Sequence, residues 1–161
     1  MTKEEAVLGK IVGLPELKAR AEGWRLKGQK IVFTNGCFDI LHKGHIRLIL
    51  QAAQLGNKLI VAINTDASVK KLKGTNRPIN VETDRALLVA AQLFVDAVIY
   101  FEEETPLSLI ESIQPDVLVK GGDYTIETVI GSDFIQKNGG EVVIIPTVAG
   151  YSSTHIIEEM K

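Results

Sequence analysis

The chain has 161 residues, of which 45% are apolar, and a formal net charge of −2. That composition supports one domain with a full core. It offers no bulk field to draw nucleic acid or an anionic membrane, so any polyanion must be met by a local cluster. The single Cys37 excludes an internal disulfide framework and fits a reducing compartment. No run approaches membrane-spanning length and the first residues carry no apolar signal core, so a cytoplasmic setting is expected, with neither nucleic acid nor membrane as partner.

Residues 1–28 read as a helical leader, with Leu14, Leu17, Ala21 and Trp24 spaced for one buried stripe. An α/β core follows over 29–161. Ile31, Val32 and Phe33 predict a buried strand over 31–34. Gly36 turns the backbone into a helix over 44–55 that Gly56 stops. A second strand over 59–63 leads into a short helix over 67–72 and a basic loop to Pro78. The next helix, over 81–94, takes Asn80 as its N-cap, with Glu82 and Asp84 in its first turn.

A third strand is predicted over 97–101. It is followed by a helix to 113 with Thr105 as N-cap and Pro106 in first position. The fourth strand, over 117–119, ends in Lys120-Gly-Gly-Asp-Tyr124. A short helix over 133–137 stops at Asn138-Gly-Gly140, the fifth strand spans 142–145, and a last helix starts at Ser153. Strands alternating with helices predict a single doubly wound, Rossmann-like domain, a five-stranded parallel sheet with helices on both faces. In such sheets ligands sit beyond the carboxyl ends of the strands, where the strand order reverses. The loops after strands one, two, four and five carry His42 and His45, then Lys70, Lys71, Lys73 and Arg77, then Lys120 to Tyr124, then Ser152, Ser153 and Thr154. Cations and hydroxyls are therefore expected on one rim of a slightly acidic protein.

His42 and His45 are three residues apart, on one face if the helix has begun. A helix N-terminus favours phosphate, and Gly44 leaves room for a ligand to press against it. No G-x-x-x-x-G-K-[ST] occurs, and no G-x-G-x-x-G follows the first strand, which disfavours P-loop kinases and dinucleotide oxidoreductases.

What stands instead is Phe33-Thr-Asn-Gly-Cys-Phe-Asp-Ile-Leu-His-Lys-Gly-His45. With it come Asn64-Thr-Asp-Ala-Ser68, Leu72-Lys-Gly74, Arg77-Pro78, Leu118-Val-Lys-Gly-Gly-Asp-Tyr124, Asn138-Gly-Gly-Glu-Val142 and Ser152-Ser-Thr154. In these pieces the chain resembles the HxGH nucleotidyltransferase superfamily, and within it the adenylyltransferase domains that act on D-glycero-β-D-manno-heptose 1-phosphate. Those domains form the second half of a bifunctional heptose kinase/adenylyltransferase. With no kinase half present, the resemblance implies a stand-alone form. It also implies transfer of AMP from ATP to a sugar 1-phosphate with release of pyrophosphate. A homodimer using the leader helix is a further implication.

In such a reaction one anion approaches another, so positioning and charge neutralisation carry most of the work. His42 and His45 are assigned to the triphosphate, in charged form, with activity expected to fall as they lose their protons. Lys73, with Lys70 or Lys71, could fold over the β- and γ-phosphates. Asn35, Gly36, Cys37, Phe38 and Gly44 line the nucleotide pocket, with Gly122 and Asp123 counted on the same side. Ser152, Ser153 and Thr154 form a second phosphate cradle at a helix start. By resemblance Arg85 also reaches the nucleotide. Lys120 faces either the triphosphate or the sugar phosphate. Arg77 and Asp39 are counted with the acceptor, though Asp39 could equally orient a histidine or cap the helix. Mg²⁺ is expected to ride in with ATP, with no protein-held metal.

Blander readings stand beside these. The histidines could pack or bind zinc, but structural zinc wants four ligands and there is no second Cys/His cluster. Cys37 could be a nucleophile or a small buried hydrophobe. The lysines could be a solvated face, and the serines plain caps. Two functional alternatives remain: a cytidylyltransferase for glycerol 3-phosphate or another alcohol phosphate, and a non-catalytic nucleotide-binding protein. The arginine that cytidylyltransferase relatives place before the serine-rich helix start is absent from Pro146-Thr-Val-Ala-Gly-Tyr151.

Overall fold

β1 (Ile31–Gly36) runs down the middle of a five-stranded sheet in the computed structural model, which describes residues 1–161. Its neighbours are β2 (Lys58–Asn64) on one side and β4 (Val117–Gly121) on the other. β3 (Ala97–Phe101) and β5 (Glu141–Ile145) form the edges, giving the order β3-β2-β1-β4-β5. Every pairing is parallel, with Phe33 opposite Ile60 on one flank and Leu118 on the other. The chain builds outward from β1 to β3, then returns to the far side of β1. The order therefore reverses between β1 and β4, and a crevice opens there at the carboxyl ends.

Alternation along the strands divides the core into two layers. Ile31, Phe33, Ile60, Ala62 and Leu118 face one way, against Leu17, Ala21, Ile110 and Ile113. Val32, Leu59, Val61, Ile63, Val117 and Val119 face the other, against Ile49, Ala52, Ala86 and Val89. The helices on the first face include α2 (Leu14–Leu26) and α6 (Leu107–Ile113), and those on the second include α3 (Lys43–Ala53) and α5 (Glu82–Ala90). α4 (Asp66–Lys73) follows β2, α7 (Ser132–Lys137) precedes β5, and α8 (Ser153–Glu159) follows β5. No helix is long and apolar enough to cross a membrane.

Several boundaries differ from the sequence reading. The leader is two helices, α1 (Lys3–Leu8) and α2, because Ile11 bridges in parallel to Val98 and the Val12 N–H donates to the Val98 carbonyl. Within the predicted stripe, Leu17 and Ala21 are buried against the chain's own sheet, while Leu14 stays exposed. α5 begins one residue later than expected and ends early. Its N-cap is Val81, because the Asn80 amide instead donates to the Asp39 carbonyl at 2.8 Å. Beyond Ala90 the chain is drawn into the sheet by Asp96, whose carboxylate accepts from the Leu59 N–H and Lys58 Nζ, each at 2.9 Å. Pro106, not Thr105, caps α6. Gly56 is not the cap of α3 either. It is needed because a Cβ there would lie 2.7 Å from Val32 Cγ2 and 2.8 Å from the Lys30 carbonyl oxygen.

Candidate active site

At the turn after β1, the left-handed backbone falls on Phe38 (φ 49°) and not on Gly36. Gly36 is the last residue of β1, and its missing Cβ makes room for the returning Phe38 ring, 3.0 Å from where that Cβ would stand. The chain then reaches His42, the N-cap of α3, with extended backbone (φ −137°, ψ 176°). His42 is thus outside the helix, and the two histidines meet through a reciprocal cap. The Gly44 N–H donates to His42 Nδ1 at 3.0 Å, and the His42 N–H donates to His45 Nδ1 at 3.3 Å. The rings stack with centroids 3.9 Å apart and planes 25° from parallel. Gly44 serves this stack: a Cβ on it would lie 2.8 Å from His42 Cε1, so the space goes to the imidazole rather than to a ligand.

With each Nδ1 accepting a backbone N–H, the ring proton belongs on Nε2 and both imidazoles are neutral donors. Electrostatics agree. Burial lowers His42, and His45 is held down to about 4, by burial first and then by His42 and Lys73, against the pull of the Ile40 carbonyl. In the free protein desolvation, joined at His45 by the charges of His42 and Lys73, favours neutral imidazoles; the charged form is expected only beside bound phosphate.

The pair opens into a cavity of about 290 Å³ at the carboxyl ends of β1, β4 and β5. Asn35, Gly36, Cys37 and Phe38 line one wall, with His42, Gly44 and His45 beside them. Lys73 comes from the end of α4, Lys120 from β4, and Ser152, Ser153 and Thr154 from the start of α8. Segments from four parts of the chain thus bring two imidazoles, two lysines and three hydroxyls together. Burial lowers Lys120, whose Nζ lies 5.1 Å from the Tyr124 ring centre. An adjoining crevice of about 120 Å³ shares Asn35 and Lys120 and adds Tyr124 and Thr128. Lys120 therefore stands between two spaces.

Other assigned residues lie elsewhere. Lys70 and Lys71 are exposed on α4 and do not line the cavity. Arg85 is fully buried behind the wall: Nη1 donates to the Cys37 carbonyl at 2.6 Å, Nε to that of Asn80 at 3.0 Å, and Nη2 to Asp66 Oδ1 at 2.8 Å. It braces the cavity wall from behind instead of entering the cavity. Asp39 is 1% exposed and neither orients a histidine nor caps α3. Its carboxylate accepts from the Ile79 and Asn80 N–H groups at 2.9 Å and from Arg77 Nε at 2.7 Å. Burial would raise that carboxyl, but these donors together hold it below the ordinary carboxylate value. Arg77 is accordingly engaged with protein and lines neither space; Gly122 and Asp123 line neither space as well.

Burial pushes the Cys37 thiol up, and its Sγ lies 3.7 Å from Asn64 Oδ1, which suits a small buried group better than a nucleophile. No three His, Cys, Asp or Glu side chains gather closely enough to hold a metal ion. Sequence reasoning passed over Leu48 and Ile145, which also line the cavity, while Gly121 lines it from within the expected rim segment of Lys120 to Tyr124. Ile145 closes β5 as Gly121 closes β4, so the rule that placed Lys120 on the rim would have found it.

A reversing parallel sheet with an H-x-G-H turn at the reversal defines the nucleotidyltransferase-like Rossmann fold. The chain belongs to the cytidylyltransferase-like family, whose family model matches residues 33–159. It is 50% identical over 156 residues to the bifunctional protein HldE of Caulobacter sp. (strain K31), covering 97% of this chain and 32% of that protein. Against the bifunctional protein HldE of Hyphomonas neptunium it is 56% identical over 138 residues, covering 86% and 28%. The chain spans about a third of the length of these curated relatives. Among solved structures, the lipopolysaccharide core biosynthesis protein from Thermoplasma volcanium GSS1 superimposes with a TM-score of 0.60 at 29% identity, covering 75% of this chain and 98% of that one. A pantoate-beta-alanine ligase from Francisella tularensis shares the fold alone, with a TM-score of 0.57 at 17% identity over 91% of this chain and 75% of that one.

Proposed function

We propose that this chain transfers AMP from ATP to a sugar 1-phosphate, with D-glycero-β-D-manno-heptose 1-phosphate as the acceptor, in the cytoplasm. The observation that carries the reading is the stacked pair of imidazoles at a helix start, sharing one cavity with Lys73 and Lys120 at the strand-order reversal. The likeness to HldE proteins supports the heptose acceptor and an ADP-sugar product for surface polysaccharide synthesis. An acceptor phosphate oxygen attacks the α-phosphorus of ATP. A new P–O bond forms as the bond to the α–β bridging oxygen breaks, and pyrophosphate leaves with that electron pair. The displacement is direct, so no enzyme nucleophile is needed, consistent with the raised thiol of Cys37. Mg²⁺ enters as part of the MgATP substrate.

Each side chain has a task. The Nε2–H groups of His42 and His45 donate to oxygens that gain charge as pyrophosphate departs, from positions already fixed by the reciprocal cap. Lys73 neutralises the β- and γ-phosphates. Lys120, shared by the cavity and the crevice, offsets repulsion between the acceptor phosphate and the α-phosphate. The sugar ring occupies the crevice beside Tyr124 and Thr128.

The test is a pyrophosphate-release screen crossing ATP, CTP, GTP and UTP with sugar 1-phosphates and glycerol 3-phosphate. Release with ATP and heptose 1-phosphate is expected. Release only with CTP and an alcohol phosphate would support the cytidylyltransferase reading. ATP binding without pyrophosphate release for any acceptor would leave a non-catalytic nucleotide-binding protein.

A further inference from the structure

Arg77 lines neither cavity nor crevice, yet its guanidinium joins segments that bring three sides of the site together. Nε donates to Asp39 Oδ2 at 2.7 Å, in the loop that continues to His42. Nη1 donates to Thr154 Oγ1 at 3.3 Å, in the first turn of α8. Its own backbone follows Lys73 by four residues, across Gly74, whose φ is 95° and which has open space around it. Nη2 is buried with no partner, so the fork carries one unsatisfied donor.

We propose that Arg77 is a positioning residue that sets the reach of Lys73 relative to the His42–His45 pair; this rests on the nucleotidyl-transfer reading above. Lys73 closes α4, and the exposed stretch 74–76 that follows it is held at its far side by the Arg77 fork. Both neighbours of that fork have separate anchors. Ser153 Oγ donates to the Ile40 carbonyl at 3.0 Å, and Asp39 also accepts from Ile79 and Asn80. Loss of the fork therefore leaves α8 and the histidine loop in place and frees most the stretch 74–76, which tethers the Lys73 end of α4. The task needs arginine, because two nitrogens must meet Asp39 and Thr154 at once, whereas lysine offers one.

The experiment is a double-mutant cycle on turnover, with thermal melts of every variant. Arg77→Lys keeps a cation beside Asp39, and is expected to lower kcat about 10- to 100-fold, the scale of a catalytic group displaced by about 1 Å. In a Lys73→Ala background the same change should cost less than about 3-fold, because no lysine remains to be placed. Effects that simply multiply overturn the inference, since a merely structural arginine costs the same in either background. Should Arg77→Lys melt below the assay temperature, Arg77→Gln, which leaves the bonds from Ile79 and Asn80 to Asp39 in place, takes its place in the cycle with the same expectation. Full turnover in His45→Gln would overturn the site assignment and this inference with it. Multiplying effects with His45→Gln inactive overturn this inference alone.

Discussion

His42 and His45 hold each other in place. The backbone N–H of the first donates to the ring of the second, their imidazoles stack 3.9 Å apart, and His42 takes the Gly44 N–H on its own Nδ1. A proton added at either Nδ1 would meet a backbone donor head-on. The resting state of the pair is therefore neutral, with the remaining ring protons on Nε2.

That arrangement fixes the sign of a pH dependence. A free histidine titrates near about 6.5, and His45 in the fold is held to about 4. Between those values the unfolded chain binds the proton and the folded protein refuses it. The contribution to stability is thus fully present above about 6.5 and is lost as pH falls toward 4, on the order of 3 kcal/mol at its acid limit. Imidazole C–H resonances followed from pH 3.5 to 8, with denaturant melts at each pH, measure both quantities. A His45 resonance titrating near 6.5 would rule the neutral pair out. The value of kcat/KM should show no step at that pH.

His45→Gln separates chemistry from folding. Glutamine is a natural third-position partner in a reciprocal helix cap, so it can still accept the His42 N–H. Stability should change by about 1 kcal/mol or less. Turnover should fall about 100- to 1000-fold, the cost of one missing donor to developing negative charge. Parallel melts and pyrophosphate-release rates decide. Equal proportional losses in both would mean that the histidine only packs.

Much of this site was legible because its parts are local. Val32 and Phe33 announce the strand, and the short run from Asn35 to His45 carries its chemistry within one turn and one helix start. The all-parallel sheet follows from alternation of strand and helix. The hidden parts depend on partners far along the chain. Asp39 reads as a helix cap from its neighbours, and only the fold brings the Ile79 and Asn80 N–H groups onto it. Asn80 looks like the cap of α5 until Asp39 claims its amide. Gly36 looks like the turn residue, while the positive φ sits on Phe38, a residue type that local preference would not select. Histidine protonation could not be read from charge neighbours in sequence, because burial decides it.

Gly44→Ala probes the stack sterically. Its new Cβ would lie 2.8 Å from His42 Cε1 and 2.9 Å from Nδ1, closer than carbon tolerates, so the ring must move. The displacement breaks the 3.0 Å cap and the stack together. A stability loss of about 1–3 kcal/mol is expected, the range for overpacking, together with a drop in kcat larger than any rise in the KM for ATP. Differential scanning calorimetry and steady-state kinetics check the two parts. A fully active, equally stable variant would show that the imidazole can settle elsewhere.

Lys120→Met tests the division of labour between cavity and crevice. Lys120 borders both, is lowered by burial, and lies over the Tyr124 ring. Methionine keeps the length and apolar contact of the stem while removing the charge. If the ammonium works between the two phosphates as they close, its loss weakens the transition state more than either substrate alone. The expected pattern is a kcat reduced about 100-fold or more, with the dissociation constant for ATP changed only a few-fold. Calorimetric titration of ATP in the absence of acceptor, set beside initial rates with acceptor varied, separates these quantities. A large loss of ATP affinity with kcat preserved would place the lysine on the triphosphate, and the acceptor phosphate would then need another cation.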